Sequence, residues 1–203
     1  MKKIISVIIT CIICILTLTA CNSESGGGYD DFSGLELVRL GMGDRAVYDR
    51  LDNLERASTV VVVGTFVEDA VQKADYQYNS YFNKDILVNV RSDNTIEVSK
   101  VLKGDVAVGD RLTVIQGYAV VDDRLVSESD LTPMVKGDTW IFFLKKSSKS
   151  DVFWCTGDSD GRYPVPGSKN RTLAISEYSD LGVYDEQNFK SEIYSEILEK
   201  YDI

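Results

Sequence analysis

The 203-residue chain contains no histidine. Without an imidazole there is no Ser-His-Asp triad, no Cys-His pair and no His-ligated metal site. Cations are scarce beside acids, 22 Lys+Arg against 32 Asp+Glu, giving a net charge of −10. A chain of that sign is a poor partner for nucleic acid or anionic lipid. No S-x-x-K pair or Gly-Lys-Ser/Thr phosphate loop occurs, and Asp138-Thr139 continues to Trp140 rather than to the glycine of an aspartic-protease motif. Long apolar runs are missing after residue 20. What remains is a chain 44% hydrophobic, enough for a folded core and too much for whole-chain disorder.

Cysteine is sparse as well, with four in all. Cys11 and Cys14 sit in the apolar leader and Cys21 at its end, so Cys155 stands alone in the remainder. No intramolecular disulfide is then available once the leader is gone. Cys155, between Trp154 and Thr156, reads as a small buried apolar residue, since a catalytic thiol would need a base.

The first twenty residues read as an export leader. Lys2 and Lys3 precede an uncharged run, Ile4 to Ala20, and the composition changes at once to Asn, Ser, Glu and Gly. Residues 1–20 are therefore a signal peptide, 21–34 a flexible Gly/Ser/acidic tether and 35–203 one globular domain. The run is at the lower limit for spanning ~30 Å of hydrocarbon, so cleavage is expected rather than a transmembrane anchor. Both leader lysines are lost with it, which leaves the mature chain more acidic still. The tether reaches roughly 20 Å on average, by the square-root rule for Gly-rich chains.

The mature part alternates short strand-like runs with Gly/Asp turns, which suggests a mainly β fold, a sandwich or small closed barrel. Thr59 to Val63 is β-branched throughout, as suits a strand buried on both faces, and Gly64 marks a bulge or bend. Ile86, Val88 and Val90, a Ser92-Asp93-Asn94 turn, then Ile96 and Val98 read as a hairpin. Arg111 to Ile115, Ala119 to Val126 (interrupted at Asp122-Asp123), Thr139 to Leu144 and Asp151 to Thr156 are further strands. Tyr163 to Pro166 belongs at a sheet edge, because neither Pro164 nor Pro166 donates a hydrogen bond. One helix is expected at each end. Asp44–Ser58 has Asp44 as N-cap, Val47, Leu51 and Leu54 on one face, and an Asp52–Arg56 pair; Glu186–Tyr201 has an apolar stripe of Phe189, Ile193, Ile197 and Leu198 for packing on the sheet.

Two resemblances follow from these residues. Leu18-Thr19-Ala20-Cys21 resembles the lipobox of bacterial lipoproteins, in which the Cys thiol takes a diacylglyceryl group and the Cys becomes the first residue once the leader is cut. This implies lipidation at Cys21 and a cell-membrane location facing outside. Two acyl chains hold firmly where one is marginal. Ser58 to Phe66, Val98 to Gly109, Lys136 to Leu144 and Gly161 to Gly167 are together similar to uncharacterised bacterial surface lipoproteins and to the OB-type barrel of netrin-like modules and metalloproteinase inhibitors. The resemblance implies a small OB-like barrel, closed or partly open. The inhibitors use a disulfide-tethered N-terminal Cys on the target's zinc. Here Cys21 lies far from the barrel and has no disulfide partner.

The expected function is a non-catalytic binding or scaffolding module of the envelope, with no cofactor, no metal and no nucleic acid. Its partners are the membrane, through Cys21, and a protein or glycan. Candidate ligand-binding residues are Tyr76, Tyr78, Tyr81 and Phe82, aromatics set among polar residues between two strands. A competing reading lays Tyr76 and Tyr78 down on the barrel as one face of a strand end. Alternative functions are an envelope hydrolase using paired carboxylates, or an inhibitor acting through the barrel edge. Asp158 to Gly161 resembles part of a calcium loop, but the flanking ligand positions fall on Thr156 and Gly167, so a turn is expected there.

Overall fold

The computed structural model describes residues 32, 34–41, 46–128, 133–168, 170 and 186–203. The leader, the Leu18–Cys21 motif, nearly all of the tether and the expected N-cap Asp44 lie outside them.

The described chain forms β1 (Glu36–Arg39), α1 (Leu51–Ala57), β2 (Val60–Phe66), β3 (Val71–Asn79), β4 (Lys84–Lys103), β5 (Arg111–Gln116), β6 (Tyr118–Val121), β7 (Arg124–Ser127), β8 (Thr139–Lys146), β9 (Phe153–Cys155), β10 (Arg162–Pro164) and α2 (Glu186–Tyr201). Strands β2, β4, β5, β9 and β8 pair in that order, and β8 returns to β2, which closes a five-stranded barrel. Counted along the chain, the barrel strands run in the order 1-2-3-5-4-1, an OB-like arrangement with two flanking helices. Its thinnest seam is the parallel β5–β9 contact, Val114 against Phe153 and Ile115 against Trp154.

β2 explains why the barrel has two cores. Val60, Val62 and Phe66 point inward to Ile96, Val98, Leu112, Val114, Phe142, Leu144 and Phe153. Val61 and Val63 point outward to Ile141, Phe143, Tyr163 and the two helices, through Leu51, Leu54, Ile193 and Ile197. A run of β-branched residues is what a strand covered on both faces requires. Gly64 sits at a register break between β2 and β4, where a Cβ would lie 3.1 Å from Ile96 Cδ1. Of the expected α2 stripe, Ile193 and Ile197 are fully buried against the sheet and Leu198 packs beside them, while the Phe189 side chain lies outside the described part. β10 lies at a sheet edge, paired with β8 alone, as Pro164 within it and Pro166 just beyond it favour.

Three expectations are corrected. Ser92-Asp93-Asn94 does not turn: β4 runs through it for 20 residues. The turn-prone side chains are satisfied within the barrel instead. Asn94 Nδ2 donates to Ser92 O, Ser92 Oγ and Val114 O, and Tyr118 Oη donates to Asn94 Oδ1. Ala119 to Val126 is not one interrupted strand but the β6–β7 hairpin, whose turn residues Asp122 and Asp123 take φ of 50° and 57°. Asp tolerates this left-handed region, and two such residues in succession form the tight turn that hairpins favour. Finally, the first helix is Leu51–Ala57 rather than Asp44–Ser58, with Arg50 extended at its N-cap. The preceding segment is held off the helical path because Ala46 O and the Tyr48 ring lie against Gly157, so Val47 is exposed. Arg56 donates to Asn53 rather than pairing with Asp52.

Candidate functional site

The four candidate aromatics fall on a single structure, the β3–β4 hairpin. β4 is much longer than the barrel needs. Its second half pairs with β5 and β2, whereas Lys84 to Asp93 pairs with β3 and projects as an arm. Side chains alternate across a strand, and directly opposed residues share a face. One face of the arm is polar: Lys73 Nζ reaches Asp93 at 3.0 Å, Arg91 Nε reaches it at 2.6 Å, and Asn89 Nδ2 donates to Asp75 at 2.8 Å. Burial alone would raise the Asp93 carboxyl, but hydrogen bonds from Arg91 and Lys73 outweigh it and hold the group below the usual aspartate value.

The other face carries Gln72, Ala74, Tyr76 and Tyr78 on β3, with Leu87 opposite Tyr76 and Asp85 opposite Tyr78. Near the barrel this face is covered by the small sheet of β1, β7 and β6: Ala74, Leu87 and Val90 pack with Val38, Ala119, Val121 and Val126. Gln72 Oε1 accepts the Val120 backbone N–H at 2.6 Å. Further out the cover stops. Tyr76 is 55% exposed, Tyr78 59%, Tyr81 88% and Phe82 59%. The reading that laid Tyr76 and Tyr78 on the barrel is thus half right: they do share one face of a strand end, and that face is open to solvent.

The tip is held by its own polar atoms. Asn79 Oδ1 accepts the backbone N–H groups of Tyr81 and Phe82, and Asn83 takes φ of 50°. Tyr78 Oη donates to Asn83 Oδ1 at 2.6 Å, which fixes the ring over the turn. The Tyr81 and Phe82 rings meet edge to face with centroids 5.0 Å apart. Sequence reasoning found the aromatics but missed Asp85 and Leu87, which share their face. Strict alternation would have set both on the face of Asn89; the register shift between Asn89 and Leu87 carries them to the aromatic face, and it has no signal in the sequence.

Apart from the arm, a concavity of about 560 Å³ opens beside the β5–β9 seam, lined by Val60, Leu112 and Phe153 among others. Of its acids, Asp110 Oδ2 accepts the Ala107 N–H and Asp151 pairs with Lys146 at 2.8 Å. Among the described residues no group of three or more His, Cys, Asp or Glu side chains is placed to hold a metal ion. Asp158 to Gly161 forms a short 3-10 turn between β9 and β10, as the turn reading required. Cys155 is a buried core residue, and burial pushes its thiol up to about 11, so it stays protonated at neutral pH. No described helix is long and apolar enough to cross a membrane.

Compared with known proteins, the chain matches no protein-family model and no curated protein sequence. The class is therefore defined by architecture alone: a mainly β chain with a closed OB-like barrel, two flanking helices and a projecting aromatic arm.

Proposed function

We propose that this chain is a lipid-anchored, extracytoplasmic binding module of a bacterial envelope, held through Cys21 and making its contacts with the β3–β4 arm rather than performing catalysis. The observation that carries the reading is the ordered display of Tyr76, Tyr78, Tyr81 and Phe82. Six of the eleven large hydrophobic side chains exposed among the described residues (Val71, Tyr76, Tyr78, Tyr81, Phe82 and Val88) lie on this one hairpin. An exposed aromatic cluster rimmed by polar groups marks an interaction site, and a turn fixed by Asn79 and Asn83 lowers the ordering cost of binding. The anchor rests on the Leu18–Cys21 motif and the acyl-chain energetics already given.

Two experiments test the reading. Cys21→Ala abolishes palmitate labelling and moves the protein out of the membrane fraction; unchanged labelling refutes the anchor. A benzophenone side chain at position 81 forms adducts with an envelope component on irradiation in cells, whereas one at Lys145 on the barrel does not. Equal yields at both positions refute the arm as contact surface.

A further inference from the structure

We infer that the ligand lying along the arm is a neutral glycan chain, recognised by Tyr76, Tyr78 and Asp85; this rests on the arm being the contact surface. The first ground is size. A stable protein–protein interface takes roughly 800 Å² from each partner. Four aromatics of about 150–250 Å² each, exposed by 55% to 88%, offer on the order of 500 Å². That is too little for a folded partner and suits a slender polymer laid along the strand.

The second ground is shape. Tyr76 and Tyr78 are two residues apart on one face, so their attachment points are about 7 Å apart along the strand. Together they make an open shelf, each ring more than half exposed. Shelves take flat, ring-shaped units, whereas peptide side chains need holes. The C–H groups on the flat side of a pyranose carry partial positive charge and meet the negative face of an aromatic ring.

The third ground is charge. Asp85 stands opposite Tyr78 on the same face, and it brings a carboxylate that only accepts hydrogen bonds. Sugar hydroxyls are donors in search of such an acceptor. The cations of the ladder sit on the opposite face: Lys84 opposite Asn79, and Lys73 and Arg91, which are paired with Asp93. An anionic polymer would therefore meet a carboxylate and no cation on the shelf, in a chain of net charge −10.

The test is a titration of the full-length acylated protein in detergent micelles with cellohexaose and with chitohexaose, followed by amide chemical shifts. At least one hexasaccharide is expected to shift the amides of Asp75–Tyr78 and Asp85–Val88 and to leave the β5–β9 seam unmoved. The double variant Tyr76→Ala/Tyr78→Ala is expected to weaken binding about tenfold or more, and Asp85→Asn by several-fold. Both positions of the double variant are more than half exposed, so its melting temperature should match wild type. Affinity should hold when salt is raised, because no ion pair forms.

Three outcomes would overturn the assignment: no arm shift with either hexasaccharide, equal affinity in the double variant, or an arm response to dextran sulfate or decaproline in place of the neutral sugars. If that happens while position 81 still gives specific adducts in cells, the glycan is wrong and the arm stands. If those adducts are missing too, both readings fall.

Discussion

The two halves of β4 share one strand, with a register shift against β3 between Asn89 and Leu87, yet they differ in everything that packing decides. From Val90 to Val98 every second residue is buried, down to full burial of Ser92, Asn94 and Ile96. From Lys84 to Asn89 none is buried, although Ile86, Leu87 and Val88 are as apolar as their counterparts. Alternation makes one face available for burial; it does not supply the cover. The inner half is covered because the barrel closes over it, and the outer half is bare because the β1-β7-β6 sheet ends beneath Leu87.

The largest effect that would break this comparison lies on the inner half. Ile96→Ala removes a fully buried side chain from the barrel interior and should cost about 2–5 kcal/mol in urea denaturation. A loss below ~1 kcal/mol would mean that the barrel is not the packed unit. Asn94→Leu should come next, at about 1–3 kcal/mol. It strips the acceptor from the buried Tyr118 hydroxyl, whose pKa burial pushes up to about 12, and Ser92 loses its Nδ2 donor. A neutral or stabilising leucine would show that this polar layer is dispensable.

A third prediction concerns the cover on the barrel's other face. α2 is latched by Glu55, which accepts from Lys200 Nζ at 2.6 Å and from Tyr201 Oη, while Lys100 Nζ donates to the last carbonyls of the helix. Burial would raise the Glu55 carboxyl, but the hydrogen bonds from Lys200 and Tyr201 and the charges of Lys200 and Lys103 hold it below its ordinary 4.5. A carboxyl depressed in the folded state contributes stability above 4.5 and loses it as pH falls through the folded value. Glu55→Gln should therefore lower the melting temperature modestly at pH 7 and close the gap to wild type in acid. A gap that persists in acid would remove the latch. The smallest effect belongs to the outer half: Val88→Ala and Phe82→Ala should each stay within ~0.5 kcal/mol of wild type. A larger loss at either would show cover on the arm in the free protein.

Legibility followed the same division. The barrel strands, the doubly buried Val60–Val63 run, the Gly64 irregularity, Pro164 at an edge and the buried Ile193 and Ile197 of α2 were all readable, because each is a local period or a residue with fixed backbone limits. Ser92-Asp93-Asn94 misled, because its turn propensity is real and is overridden only by partners 20 or more residues away, at Val114 and Tyr118. Asp44–Ser58 misled because three apolar residues at helical spacing say nothing of Gly157, whose contact with Tyr48 keeps the approach extended. The aromatics of the arm were conspicuous in sequence; that they stand clear of the barrel was not.

By itself the sequence determined the mainly β class, the narrowing to sandwich or barrel, the acidic charge and the irrelevance of imidazole chemistry, since these depend on composition and on patterns a few residues long. Only the tertiary structure decided that β4 passes unbroken through a turn signal, that one of its halves is core and the other arm, and that Asp85 joins Tyr76 and Tyr78 on one face. Those outcomes depend on which distant segments come to lie over a strand, and cover is a property of the whole chain rather than of any stretch within it.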